Sequence, residues 1–160
     1  MNQRFRYKTP EGFDDLLLCC DGEVLTGLVF EGMPVEKVSA MCDRPSVILD
    51  TFRWLDVYFS GRQPDFTPAY RMEHLTPFRK AVVEVMLGIP YGQTMTYGEI
   101  AQRVGVRSAQ AVGGAVGWNP ICLIVPCHRV IGADGGLTGY SSGLHNKVAL
   151  LQHEGYVGVA

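Results

Sequence analysis

Two closely spaced helix starts in the second half of the chain constrain the fold more than any other feature. Thr96-Tyr97-Gly98-Glu99 has the spacing of a capping box and predicts a short helix over Tyr97–Val104, which ends at Gly105. Ser108 can cap a second helix over about Ala109–Gly117. Two short helices joined by a tight glycine-containing turn form a helix-turn-helix pattern, which occurs in DNA-binding proteins and also in many all-helical cores.

The first half of the chain predicts a small sheet followed by a helix. The predicted strands are Arg4–Lys8, Asp15–Cys20 and Val24–Phe30, and the predicted helices outside the pair above are Ser46–Phe59, Pro77–Leu87 and His145–His153. Asp21-Gly22 is a turn dipeptide, so the second and third strands are expected to form a hairpin. Residues 62–75 show little periodicity, and Thr76-Pro77 then opens a new helix. We therefore predict an α/β (α+β) fold with an N-terminal lobe at 1–75 and a C-terminal lobe at 76–160.

The composition indicates a folded protein of a reducing compartment. With 160 residues, 47% of them hydrophobic, the chain has enough apolar surface for a core and is not disordered. No apolar run approaches the ~18 residues that span a membrane, and the first residues lack the apolar stretch of a secretion signal. The five cysteines are an odd number without the spacing of a disulfide framework or a metal site. We expect a soluble, cytoplasmic monomer (nuclear in a eukaryote) with free thiols and no membrane contact.

Charge is distributed unevenly along the chain, whose net charge is −2. Residues 1–75 carry 8 basic and 12 acidic side chains, whereas residues 76–160 carry 6 basic and 4 acidic ones. The mildly basic second half permits a polyanionic partner without requiring one. If that partner is DNA, few phosphates are neutralised, and affinity should depend only weakly on salt.

Cys127 is the residue whose sequence surroundings most favour chemistry. It follows an apolar, β-branched run that begins at Asn119 and is interrupted by Pro126. Because proline cannot donate to a central ladder, the chain is expected to leave a sheet at Pro126 and to present the thiol at the end of a strand. The positive charge of His128 and Arg129 favours a reactive thiolate. A buried cysteine is otherwise an inert packing residue, which is our interpretation of the other four.

His128 is the candidate base for this thiol. Neighbouring residues of an extended chain point to opposite faces, so the imidazole is not expected to touch the sulfur, and a water would relay the proton. A carboxylate would then orient the imidazole, and Glu154 is the best candidate among the few acids of this half.

The segment around Cys127 resembles the active-site signature of the methylated-DNA–protein-cysteine methyltransferases (O6-alkylguanine-DNA alkyltransferases). The matching motifs are Pro126-Cys127-His128-Arg129-Val130, Asn119-Pro120, His153-Glu154-Gly155, Tyr91-Gly92, Thr96-Tyr97 and Ala111-Val112-Gly113-Gly114. The resemblance spans roughly residues 76–160. It implies an RNase-H-like α/β N-terminal lobe and a helical C-terminal lobe with a winged-helix-like helix-turn-helix.

The resemblance also implies a reaction. An alkyl group would pass irreversibly and only once from O6-alkylguanine in double-stranded DNA, and from O4-methylthymine, to the Cys127 thiolate, without a cofactor. His128 would deprotonate Cys127 through water, and Glu154 would hold His128. Asn119 would tie the active-site turn to the helix-turn-helix.

The remaining implied site residues bind substrate or DNA. They are Tyr97, which would donate to the guanine ring, Gln110, Arg129, Val130, and the pocket loop at Tyr140 and Ser141. The second helix of the motif would enter the minor groove, and the damaged nucleotide would be flipped out of the stack. The small residues of this helix would let the sugar-phosphate backbone approach, although Gly113-Gly114 would fit tight helix packing equally well.

Two departures from the family pattern concern the site. Relatives usually carry an arginine where this chain has Gln110, so base flipping is expected to be weaker. Cys19, Cys20, Cys42 and His74 do not reproduce the zinc ligands of some relatives, and we predict no metal.

Two other functions fit parts of the pattern. In non-catalytic alkyltransferase-like sensors of damaged DNA another residue replaces the cysteine, which the presence of Cys127 opposes. A cysteine hydrolase or thiol-redox protein is opposed by the lack of a Cys-x-x-Cys motif and of an evident oxyanion loop.

Overall fold

The computed structural model describes residues 3–31, 44–137, 143–156 and 158, and its elements follow the predicted order. The strands are β1 (Gln3–Tyr7), β2 (Leu16–Cys20), β3 (Leu25–Phe30), β4 (Met95–Thr96) and β5 (Val130–Ile131). The helices are α1 (Ser46–Phe59), α2 (Pro77–Leu87), α3 (Tyr97–Val104), α4 (Ala109–Trp118) and α5 (Leu144–His153). None of the helices in these ranges has the length and apolar character needed to cross a bilayer.

The N-terminal sheet is antiparallel in the order β1-β2-β3, and its inner face is apolar. Alternate residues of β2, beginning at Leu16 and including Leu18, are buried, as the period of two requires. Helix α1 lies against this sheet, and the Tyr7 hydroxyl of β1 donates to Asp56 of α1 over 2.7 Å. The predicted hairpin and helix are therefore confirmed.

The predicted caps of the C-terminal helices are confirmed. Thr76 accepts a hydrogen bond from the Arg79 amide, Thr96 from the Glu99 amide, and Ser108 from the Ala111 amide. Gly105 ends α3 in the left-handed conformation, at φ 79°, which permits the tight turn into α4. The helix-turn-helix is thus built by local interactions that the sequence contains.

The two halves of the chain are joined by backbone pairing. Leu28 of β3 donates from its amide to the Pro120 carbonyl and accepts from the Cys122 amide, each over 2.8 Å. Residues just before the Cys127 segment therefore extend the N-terminal sheet. The lobe boundary between residues 75 and 76, and the RNase-H-like and winged-helix-like descriptions, stay predictions.

The expectation that Cys127 lies at the end of a strand is wrong. Within residues 119–126 only Ile121 forms a bridge to β3, residues 122–125 turn, and Cys127–Arg129 form one turn of 3-10 helix. The cause is Asn119, whose amide group donates to the Val125 carbonyl over 2.9 Å and whose oxygen accepts from the Ile121 amide over 3.0 Å. A side chain that binds the backbone in this way competes with a ladder and curls the segment.

Candidate active site

Glu154, which follows the last residue of α5, forms hydrogen bonds with several polar groups of the site. Its buried carboxylate accepts hydrogen bonds from His128 Nε2 over 2.6 Å and from the Tyr58 hydroxyl over 2.6 Å, both on Oε2. Its Oε1 accepts from Arg129 Nε over 2.8 Å and from the Gly92 amide over 2.9 Å. Burial alone would raise the pKa of Glu154, but the His128 and Arg129 donors hold it well below its usual range. The group is therefore an anion.

His128 is fully buried and held in one orientation. Because Nε2 faces a carboxylate oxygen, it carries the proton, and in the neutral ring Nδ1 is then the acceptor. Nδ1 makes no hydrogen bond to any residue that the structure describes. Burial lowers the pKa of His128 and outweighs the opposing effect of Glu154. The arrangement gives a neutral imidazole whose Nδ1 can accept a proton.

Arg129 points into the interior of the protein. Its guanidinium is buried, with Nη2 3.1 Å from Glu154 Oε2 and Nη1 2.8 Å from the Ile89 carbonyl. Nη2 also approaches Gln63 Oε1 over 3.2 Å. In the structure the donors of this side chain are used inside the protein, where it is the counter-charge of Glu154, and its assignment to substrate or DNA stays a prediction.

Cys127 is 4% exposed and lies among groups from two other elements. The charge of Cys127 influences the titration of both Tyr97 in α3 and Lys147 in α5. The Lys147 Nζ lies 5.9 Å from the centre of the Tyr97 ring and donates to the Val130 carbonyl over 2.5 Å. Val130, predicted as a substrate residue, is fully buried and contributes this carbonyl to the site.

Tyr58 is a site residue that sequence reasoning missed, and Lys147 is one that it considered for the pocket but left out of the predicted site. A lysine in an amphipathic helix reads by default as solvated, yet Lys147 is fully buried. Burial lowers its pKa to about 8, and the neighbouring Cys127 opposes that shift. Tyr58 lies 96 residues before Glu154 in the chain and gave no local signal.

Tyr97 and Gln110 line an open cavity of about 690 Å³ between α3, α4 and the start of the turn after β5. Its other described lining residues are Gly98, Ala109, Gly113, Gly114, Gly132 and Ala133. A Cβ built on Gly114 meets no described atom within 4 Å, so tight helix packing does not explain this glycine. The small side chains of α4 leave its surface open to a large partner.

Part of the predicted site cannot be placed. Tyr140 and Ser141 lie outside the described residues, as does Cys42 of the four residues considered for zinc. The structure brings Glu154 into contact with His128, the neighbour of Cys127. The assigned roles stay predictions for Cys127, His128, Glu154, Asn119 and Tyr97.

Comparisons with known proteins place this geometry in a family. The 6-O-methylguanine DNA methyltransferase DNA-binding domain matches residues 77–156. A methylated-DNA–protein-cysteine methyltransferase of Methanosarcina acetivorans is 44% identical and is aligned over 76% of this chain and 78% of its own length. One from Salmonella typhimurium is 52% identical, over 84% of this chain and 77% of its own.

Solved structures agree with the sequence comparisons. The Mycobacterium tuberculosis O6-methylguanine methyltransferase matches with a TM-score of 0.79 and 38% identity, covering 96% of this chain and 93% of that one. A structure of the Mycobacterium tuberculosis protein in complex with DNA matches with a TM-score of 0.76 and 40% identity over the same shares. With a signature cysteine beside a buried imidazole–carboxylate pair, and relatives of this similarity along most of its length, the chain belongs to the methylated-DNA–protein-cysteine methyltransferase family.

Proposed function

We propose that this protein repairs DNA by transferring the alkyl group of O6-alkylguanine, and of O4-methylthymine, irreversibly to the sulfur of Cys127. The observation that carries the proposal is the orientation of His128, the residue after Cys127, whose Nε2 is bound to Glu154 while Nδ1 is left as an acceptor. Family membership supplies the substrate class, because the relatives are named for methylated DNA and protein cysteine.

The reaction is a displacement at carbon. The thiol proton passes through a water to His128 Nδ1, and the sulfur forms a bond to the alkyl carbon as the carbon–O6 bond breaks. The electron pair of that bond leaves with the guanine, and the hydroxyl of Tyr97 donates to a ring nitrogen to stabilise the departing base. No cofactor is needed, because the substrate carries both electrophile and leaving group, and the resulting thioether makes each molecule act once.

Charges around Cys127 favour the thiolate before the substrate arrives. Lys147 approaches the sulfur from α5, and a nearby ammonium stabilises the charged form of a thiol. Burial raises the pKa of Tyr97, and the charge of Cys127 raises it further, so the phenol stays protonated and able to donate. The charge and hydrogen bond of Glu154 raise the pKa of His128 and so favour the added proton, whereas the charge of Arg129 opposes it.

DNA is the partner that fits the open face of α4. The helix presents exposed residues from Ala109 to Gln110 at its start, where backbone amides can hold a phosphate. Its small side chains admit the sugar-phosphate backbone of the minor groove. The alkylated nucleotide must be extruded from the stack at a cost of a few kcal/mol. Gln110 would fill the gap that this nucleotide leaves in the base stack, and the loop at Tyr140 and Ser141 would form one side of the pocket for the extruded base.

We also propose that the protein works as a monomer in the cytoplasm. The relatives of this chain include bacterial and archaeal proteins, and a reducing compartment such as the cytoplasm keeps a nucleophilic thiol free.

The proposal is tested by intact-mass measurement after incubation with a duplex that contains O6-methylguanine. We expect one methyl group to be added per molecule, none to be added to Cys127→Ser, and an unchanged addition to Cys122→Ser. Cys122 is a matched control because it is a buried cysteine of the same segment. Binding without a mass change would instead indicate a sensor of damage, and turnover of esters or disulfides would indicate a hydrolase or redox protein.

A further inference from the structure

The first half of the chain contributes a tyrosine hydroxyl to the Glu154 carboxylate. Of the donors that described residues present to the Glu154 carboxylate, only the Tyr58 hydroxyl comes from residues before position 75. It binds Oε2, the same oxygen that accepts the proton-bearing Nε2 of His128, and both distances are 2.6 Å.

Tyr58 is attached to the end of α5 twice. Its hydroxyl binds Glu154, and its backbone carbonyl accepts a hydrogen bond from His153 Nε2 over 2.8 Å. Two consecutive residues of α5 are therefore fixed to one residue of α1.

The tyrosine is enclosed by other side chains. Its side chain is fully buried, and its ring is stacked on Trp54 with centroids 5.5 Å apart. The ring also packs edge-on against Phe59, at 5.2 Å. Burial and the Glu154 charge raise the pKa of Tyr58 well above its usual value, so the phenol remains a donor at any working pH.

We propose that Tyr58 is a positioning residue for alkyl transfer, which fixes the Glu154 oxygen that orients His128 and thereby aims Nδ1 at the proton of Cys127. The inference rests on the proposed function of Cys127 and His128. Without the hydroxyl, Oε2 would keep only His128 and the longer contact to Arg129, and the carboxylate could rotate toward the guanidinium.

The loss of this donor also changes the charge that His128 meets. The charged and titratable groups around the imidazole are Glu154 and Lys147 of α5, the adjacent Arg129 and Cys127, and Tyr58 of α1. Without the Tyr58 hydroxyl, more negative charge remains on Glu154 Oε2. This charge favours the protonated form of His128 and so raises its pKa. The acid limb of the rate profile, which reports protonation of the base, would then move to higher pH.

The test compares Tyr58→Phe with Tyr7→Phe, a matched control. Tyr7 is also a largely buried tyrosine whose hydroxyl binds a carboxylate of the first lobe, Asp56, and it does not contact Glu154. We expect both variants to lose comparable stability in thermal unfolding. Tyr58→Phe should transfer methyl roughly ten-fold more slowly, in the range found when a group orienting a functional histidine is removed, and its acid limb should move to higher pH. Tyr7→Phe should keep the transfer rate and the acid limb of the unmodified protein.

A second measurement separates this inference from the proposed function. We expect iodoacetamide to alkylate Cys127 without DNA, and peptide mapping reports that residue alone. Slower alkylation of Cys127 in Tyr58→Phe than in Tyr7→Phe supports the positioning role even if the unmodified protein transfers nothing from DNA. If the unmodified protein repairs DNA while Tyr58→Phe matches Tyr7→Phe in rate, acid limb and iodoacetamide reactivity, the inference is overturned and the proposed function stands.

Discussion

Replacing Glu154 by glutamine should destabilise the protein more than any other single-atom change at the site. The substitution keeps the shape of the side chain and removes its charge. Arg129, whose side chain is 5% exposed, would then be a buried cation without its counter-charge. One carboxylate oxygen would also become an amide nitrogen, which cannot accept the hydrogen bonds that both oxygens now receive.

The size of the effect follows from the burial of both partners. Removing one member of a buried ion pair costs about 3–5 kcal/mol, because the other charge is left uncompensated. For a chain of this length such a loss lowers the melting temperature by roughly 6–20 °C. Glu99→Gln, an exposed glutamate of α3, is the control and should change stability by about 0.5 kcal/mol or less.

The loss should depend on pH with a defined sign. The folded state holds the pKa of Glu154 well below its usual range, so the stabilisation by this carboxylate is fully present above the unfolded value of about 4.3. It is lost as the pH falls from there through the folded pKa. The difference between Glu154→Gln and the unmodified protein should therefore be constant near neutral pH and should shrink in acid.

Urea unfolding followed by circular dichroism at neutral and acidic pH measures this difference directly. A free energy of unfolding for Glu154→Gln within about 1 kcal/mol of the unmodified protein at neutral pH would refute the reasoning, since it falls below the range for a broken buried pair. A difference in unfolding free energy that grows as the pH is lowered would contradict the predicted pH dependence but not the predicted size of the effect at neutral pH.

Two further predictions concern the reaction rate. Gln110→Arg should speed repair of duplex DNA, because a charged side chain fills the gap left by the flipped base better. Single-turnover rates on duplex and on single-stranded substrate test this prediction. A rate on duplex DNA that is unchanged or lower in the variant would refute it. Lys147→Met should slow the alkylation of Cys127 by roughly ten-fold near pH 7, one pKa unit of thiolate stabilisation, and the gap should narrow above the lysine pKa of about 8, where the unmodified lysine is neutral. A gap that is constant from pH 7 to pH 9 would show that the lysine acts by packing rather than by charge.

Local signals account for the parts of the fold that were predicted well. Thr76, Thr96 and Ser108 mark helix starts because a cap is a hydrogen bond between a side chain and an amide three residues away. A local interaction also explains why the prediction of a strand at residues 121–125 is wrong, although the composition of these residues favours one. There one amide side chain, that of Asn119, outweighs β propensity by binding two groups of the following backbone.

The sequence by itself determined where the helices begin and end, to within a residue, and the turn between α3 and α4, since these depend on neighbours in the chain. It also predicts the nucleophile and its histidine. The tertiary structure alone decided that Arg129 turns inward to Glu154, that Lys147 is buried beside Cys127, and that Tyr58 reaches the same carboxylate. Those contacts join groups up to 96 residues apart, and no spacing in the sequence encodes them. They exist because the folded chain buries the Glu154 carboxylate, and a buried charge is stable only where enough donors converge on it.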